Sequence, residues 1–285
     1  MVKSKEIYSQ NIQEQLPVFH QSWWLDVVAK KSWNYMIEIE DDNTFGVLPY
    51  LEERKFGFRF LGMPPFTPFL GPSIISHKDK SEIKIELIRS LLHQLPRYHV
   101  FKQNMIIDKS NLNVFEEDGF SLSKRVTYKI LTEVPEDNLW KKISSTRRRR
   151  IIRGGEKLEI RNDERVTEFI KIQERTFSRQ GIKPPQSLEI LKKIVKKSME
   201  MNSGILLMSG SKDDSNDCQA AGFFVWDRNT MYYIAGGYDD SDKKGEAMSF
   251  LLWNGILLAK EKNLTFDFEG SMISGIAEFF RSFGS

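Results

Sequence analysis

Cysteine is nearly absent from this 285-residue sequence. Cys218 is the one thiol, so no disulfide can close within the chain, and with no second thiol near it neither a redox pair nor a thiolate zinc site can form. Histidine is scarce too: His20, His77, His93 and His99 show no ligand spacing such as HExxH, so no metal is expected. No Ser-His-Asp or Cys-His order stands out. The longest apolar segments, such as Phe250 to Ala259, fall well short of the roughly 20 residues that span a bilayer. The N-terminal lysines have no apolar stretch behind them, and neither a signal peptide nor a membrane span is expected. An excess of one charge is also missing. Lys and Arg number 42 against 39 Asp and Glu, so attraction to phosphate must come from local clustering rather than from the whole-molecule field. Together these absences point to a protein of the reducing cytoplasm.

What is present is a globular composition, 40% hydrophobic and 28% charged, on a chain long enough for two domains. Tyr35, Ile37 and Ile39 alternate with polar residues as in a strand, and Asp41-Asp42-Asn43 turns the chain into a second strand, Phe45 to Leu51. A third strand, Phe56 to Leu61, runs into a proline-rich stretch, Met63 to Pro72, which reads as an ordered loop. Its Phe66 and Phe69, with Trp23 and Trp24, either line an acceptor groove or close a core. The spacing predicts a helix over Ile83 to Leu95, a strand over Val100 to Ile107, a short helix over Leu112 to Asp118 and a strand over Arg125 to Leu131.

Beyond Pro135 the pattern predicts a helix from Trp140 to Gly154 with Gly154-Gly155 as its stop, then a strand at Leu158 to Ile160. Helices Val166 to Phe177 and Leu188 to Met201 are split by Gly181 and Pro184-Pro185. Strands follow at Ile205 to Met208, Ala220 to Trp226 and Met231 to Ala235, then a helix Ala247 to Lys262, a strand Leu264 to Phe268 and a helix Ile276 to Arg281. The order hairpin, helix, strand, short helix occurs in both halves, which suggests α+β domains at 1–134 and 135–285. The second half stops where the first continues into its Arg125 strand. Its sheet should therefore lack its last strand, unless another segment covers that edge.

Three constellations could carry chemistry. Lys243, Lys244, Gly245 and Ala247 open a long helix whose free N–H groups and dipole favour an anion such as pyrophosphate, although a plain solvated helix start fits equally well. Seven cations crowd Lys141 to Arg153, and Trp140, Ile143, Arg147 and Ile151 share one stripe, so Arg147 points inward toward either a ligand phosphate or a buried carboxylate. In Thr265 to Ser271 the period of two sets Asp267 and Glu269 on one face and Phe266 and Phe268 on the other. Those acids could orient or deprotonate an amine, or could pair with Arg147, Arg150 or Arg153. Asp227-Arg228-Asn229 is expected to join the Ala220 and Met231 strands as a hairpin turn, and of the tyrosines flanking that hairpin, Tyr232, Tyr233 and Tyr238, the last stands nearest Gly245 and could protonate a leaving group.

Several of these runs resemble one family. FHQSWWL (Phe19 to Leu25), Gly46-Val47-Leu48-Pro49, Pro65-Phe66-Thr67-Pro68, Arg147 to Arg153, Leu251-Leu252-Trp253 and, most specifically, Phe266-Asp267-Phe268-Glu269-Gly270-Ser271 with Phe283-Gly284 resemble the tandem-GNAT acyltransferases related to the FemAB peptidoglycan-bridge aminoacyltransferases. The resemblance implies two GNAT-like domains, each a mixed, mostly antiparallel sheet flanked by helices, with the donor held by the second. Family donors are acyl-CoA and, in the bridge-forming branch, aminoacyl-tRNA; the acceptor implied is a small-molecule or cell-envelope amine. Two departures stand out. Gly245 and Ala247 fit the end of a GNAT pyrophosphate loop, but Asp242 stands where Gln or Arg is usual, and Phe280 takes the place of the bridge-forming branch's lysine.

The expected activity is thus N-acyl transfer by direct attack of an amine on a thioester or ester, the oxyanion held by backbone N–H groups near Ile234 to Gly237. Asp267, Glu269 and Tyr238 would be catalytic, and Lys243, Lys244, Gly245, Ala247 and Arg147 would hold the donor. A scaffold without catalysis, binding RNA or another polyanion through the Arg147 to Arg153 helix, is the alternative.

Overall fold

The alternating pattern of Trp33 onward folds as read: β1 (Trp33–Asp41) and β2 (Thr44–Lys55) form an antiparallel pair in register from Trp33–Leu51 to Ile39–Phe45. The structure, a computed structural model, describes residues 12–30, 32–41, 44–76, 81–106, 108, 111–179, 181, 187–242, 244–270 and 273–285. The expected turn residues Asp42-Asn43 and the Pro184-Pro185 break lie outside them. The chain divides into two compact units, 1–124 and 125–285.

In the first unit, the short helix α1 (Ser22–Val28) precedes a sheet in which β2 is central, with β1 on one edge. On its other edge it pairs with β3 (Phe58–Gly62) and, near its start, with β4 (Ser73–Ser76). The helix α2 (Ser81–His93) carries Ile88, Leu91 and Leu92 onto Leu48, and α3 (Leu112–Glu117) adds Val114 and Phe115 to that core. The strand expected over 100–107 shortens to β5 (Val100–Phe101), which runs parallel to β3. Beyond it side chains tether the segment instead: Gln103 Nε2 donates to the Pro49 carbonyl of β2 at 2.9 Å and Asn104 Nδ2 to that of Pro68 in the proline-rich loop at 3.0 Å. The proline-rich stretch is ordered because aromatics close a core beneath it. Phe19 meets Trp24 and Phe69 edge to face at 5.1 Å each, and Trp24 Nε1 donates to Thr67 Oγ1 at 3.1 Å. Trp23, Trp24 and Phe69 are buried in that core, and Phe66 is half-buried.

The second unit is a six-stranded sheet in the order β6 (Lys129–Ile130), β11 (Thr265–Asp267), β10 (Thr230–Tyr238), β9 (Ala220–Trp226), β8 (Gly204–Ser211), β7 (Leu158–Asn162). All pairs are antiparallel except β10 with β11. The edge expected to be open is covered. The strand expected over 125–131 pairs not with the first sheet but with β11, Ile130 opposite Phe266 and Lys129 opposite Asp267, so the division falls ten residues before Pro135. Helix α8 (Glu246–Glu261) lies against β8, β9 and β10 over a core that includes Phe224, Leu251, Leu252, Phe266 and Phe268. The second unit also contains α6 (Val166–Arg179), α7 (Leu188–Glu200) and a final helix, α9 (Ser274–Arg281).

The basic helix differs from its expected form. It is two helices, α4 (Glu136–Lys142) and α5 (Ser145–Lys157), because Ile143 turns extended and the Ser144 hydroxyl caps α5 by accepting the Arg147 N–H at 3.3 Å. Gly154-Gly155 does not stop it. A Cβ on Gly154 would sit 2.7 Å from Phe250 Cβ and 2.9 Å from the Glu246 carbonyl, so that glycine exists to let α5 cross α8 closely.

Candidate functional site

Strand β10 has a partner on both sides only over its first residues. Thr230, Met231 and Tyr232 pair with Thr265, Phe266 and Asp267; β11 then ends, while β10 continues beside β9 to Tyr238. Between Tyr233 and Ala235 the β9 register slips by one, so Ile234 is an extra residue and the strand bulges. Two glycines make room for this. A Cβ on Gly236 would collide with the Tyr233 hydroxyl, and one on Gly237 with Thr176 Oγ1 of α6. The outcome is a gap along residues 234–238 with no described strand beside its free side, where Ile234, Ala235 and Gly236 are half-buried residues.

The two acids have different surroundings: the expected strand ends at Asp267, so Glu269 lies beyond it and not on a shared strand face. Asp267 is 2% exposed and fully engaged: Oδ1 accepts the Thr127 hydroxyl and, at 2.9 Å, the Glu269 N–H, while Oδ2 faces Lys129 Nζ at 3.5 Å. Glu269 follows in the left-handed region (φ 65°), an uncommon place for a residue with a side chain, and its Oε1 is buried with no hydrogen-bond partner among the described residues. Burial, and then the neighbouring Asp267 charge, push its carboxyl well above the usual range; Lys129 opposes this. Phe266 and Phe268 lie in the core as expected, Phe268 stacked on Phe280 at 4.7 Å. The expected ion pairs of these acids with Arg147, Arg150 or Arg153 do not form, because the cross-strand neighbour of Asp267 is Lys129. Thr127 and Lys129 were readable as alternate positions of a strand, but nothing local indicated which sheet that strand would join.

At the start of α8, Gly245 is left-handed (φ 67°) as a glycine can be, and the helix amides are already taken. The Asp242 carboxylate accepts the N–H of Ala247 at 3.0 Å through one oxygen and that of Met248 at 3.0 Å through the other. Asp242 is 5% exposed, and that burial raises its pKa, with the amides partly offsetting. Lys244 lines a surface cleft of about 480 Å³ with Arg153, Lys157 and Asp242. Lys243 lies outside the described residues.

Arg147 points inward, as its spacing predicts, and meets no carboxylate among the described residues. Its Nη1 donates to Ser249 Oγ at 2.6 Å and its Nε to Ser282 Oγ at 2.9 Å, and the guanidinium lies over the Phe279 ring at 4.1 Å. Hydroxyls and a ring face stand where the expected buried carboxylate would be. Burial, then the nearby Arg150 charge, lower its pKa to about 10, with Asp242 opposing.

The tyrosines sort by register. Tyr232 stands opposite Asp267 and donates to Asp227 Oδ2 at 3.2 Å, and Tyr233 lies over the bulge, the hydroxyls of both raised by burial. Tyr238 is not brought to the acids. It is the last residue of β10, six positions past the Asp267 pair, and is exposed under the Arg179 guanidinium at 4.2 Å. Cys218 is pushed up to about 12 by burial and is no thiolate. No metal-binding cluster exists among the described residues.

No family model matches the chain, and no curated protein matches it in sequence. Solved structures do. FemX superposes with a TM-score of 0.73 at 11% identity over 96% of this chain and 89% of that one. A protein of unknown function from Bacteroides thetaiotaomicron gives 0.59 at 11% identity, covering 97% and 88%. The C-terminal domain of a proposed lysylphosphatidylglycerol synthetase from Agrobacterium fabrum gives 0.50 at 13% identity, covering 94% and 82%. The chain shares the α+β fold of FemX, the fold class that its motifs imply.

Proposed function

We propose that the second unit transfers an acyl or aminoacyl group from an activated ester or thioester to an amine, with no covalent intermediate on the protein. The observation that carries this reading is the gap left where β11 ends and β10 bulges at Ile234, with the buried Glu269 Oε1, unpartnered among the described residues, just past the last β10–β11 pair. Backbone N–H groups of the bulged segment are suited to a carbonyl oxygen gaining charge as nitrogen attacks. The new C–N bond forms, the C–O or C–S bond of the donor breaks, and the amine's proton passes through Glu269 to the leaving group. A carboxyl raised by burial is matched to that relay. Asp267 acts as a positioning residue: it anchors the Glu269 N–H and is itself held by Thr127 and Lys129.

Asp242 discriminates between donors. The α8 amides that would cradle the pyrophosphate of acyl-CoA are filled by its carboxylate, so these residues do not fit that group. A donor whose phosphates bind elsewhere suits the chain better. On α5, Arg148, Arg149 and Arg150 pair with no carboxylate among the described residues, which favours an aminoacyl-tRNA ester over a CoA thioester. The acceptor in this reading is a small-molecule or cell-envelope amine.

The test is to supply the protein separately with bulk tRNA charged with labelled amino acids and with labelled acetyl-CoA, each with a pool of lysine-bearing peptides, and to count label in new amides. Label from the charged tRNA, lost in Glu269→Gln, is expected. RNA binding without transfer from either donor would instead leave the polyanion scaffold.

A further inference from the structure

The tip of the β2–β3 hairpin holds a residue that folding does not explain. Lys55 pairs with Phe58, leaving Phe56 and Gly57 as a two-residue turn in which both φ angles are positive, 54° and 79°. Turns of this kind call for Asn or Gly at the first position, and a phenylalanine there is strained. Packing returns nothing for that strain, since Phe56 is 98% exposed. Phe58 is 52% exposed, and on β5, next to β3, Val100 is 43% exposed. Cations surround this apolar point: Arg54 and Lys55 before it, Arg59 and Arg97 behind it. Two acids share the region, Glu53 with Lys55 at 2.8 Å and Glu52 with Arg59 at 2.8 Å and Arg54 at 3.4 Å, so four positive charges face two negative ones.

We propose that this hairpin docks the protein on an anionic lipid bilayer, with the Phe56 and Phe58 rings at the headgroup boundary and the surrounding cations against lipid phosphates. Aromatic rings favour that boundary, and basic side chains are drawn to an anionic leaflet. A protein partner fits less well: two rings at a hairpin tip amid charges do not make the roughly 800 Å² per side of a stable protein interface. No helix among the described residues is long and apolar enough to cross a membrane, so this contact would be peripheral. The proposal is independent of the transfer reaction.

The experiment is co-sedimentation of the full chain with vesicles of phosphatidylcholine alone and of phosphatidylcholine with phosphatidylglycerol. Binding to the anionic vesicles, weakened by salt, is expected. Phe56→Asn suits the turn and should leave the thermal midpoint unchanged or higher while weakening vesicle binding about fivefold or more. Absence of binding to anionic vesicles, or binding by F56N equal to wild type, overturns the proposal. So does light scattering that finds a dimer dispersed by F56N in a chain that ignores vesicles, which would make the tip a contact between two copies.

Discussion

The carboxylate of Asp242 accepts the backbone N–H of Ala247 at 3.0 Å, so the start of α8 carries its own anion. With the second bond to Met248, two of the helix's orphan donors are satisfied from outside the helix. Asp242→Ala is expected to lower stability by about 1 kcal/mol through the lost cap. It should also free the amides, so CoA should raise the melting temperature of the variant and not that of the wild type. Equal stabilisation of both proteins by CoA would remove Asp242 as the discriminator.

Glu269 gives a pH dependence with a definite sign. Its folded carboxyl is raised, so the folded state holds a proton that the unfolded chain releases near the ordinary carboxylate value. Its contribution is therefore fully present in acid and is lost as pH rises from that value through the folded one. Glu269→Gln keeps the shape and cannot ionise. Relative to wild type, its stability should rise as pH climbs above the ordinary carboxylate value of about 4, checked by urea denaturation at several pH values.

Arg147 should tolerate loss of charge better than loss of bulk. Arg147→Ala removes the bonds to Ser249 and Ser282 and opens a void beneath Phe279, at about 2–4 kcal/mol. Arg147→Met fills much of that space and strands no carboxylate, so less than about 1.5 kcal/mol is expected. Equal losses in chemical denaturation would mean that the charge itself is needed.

The edge strand makes a prediction about boundaries. A chain beginning at residue 125 retains Tyr128, Ile130 and the Lys129–Asp267 pair, and should run as a monomer in gel filtration. One beginning at residue 135 exposes the edge of β11 and should aggregate. Comparable behaviour of the two would show that β6 is dispensable.

Much of the fold was legible because it is local. The alternation of Tyr35, Ile37 and Ile39 gave β1, and the Asp227-Arg228-Asn229 turn joins β9 and β10 as read, with Asp227 Oδ1 accepting the Asn229 and Thr230 N–H groups. The helix break at Ile143-Ser144 was missed because an apolar stripe can continue across a capped junction. Of the candidate site, strand period picked out Asp267 and Glu269 together, but the strand ends at Asp267 and the chain turns left-handed at Glu269, so the period held only for the first. Tyr238 was favoured for its nearness to Gly245 in sequence, whereas parallel register sets Tyr232 beside the acids.

Sequence alone determined which way side chains face: Phe266 and Phe268 against Asp267, and Arg147 within the stripe of its helix. Those choices follow from the 2.0 and 3.6 periods and from the penalty for burying charge. Only the tertiary structure decided what they meet. Lys129 reaches Asp267 from a strand more than a hundred residues earlier, and Ser249 and Ser282 reach Arg147 from two other helices. The energy of a buried polar group depends on partners that chain folding, not chain order, brings within hydrogen-bond distance.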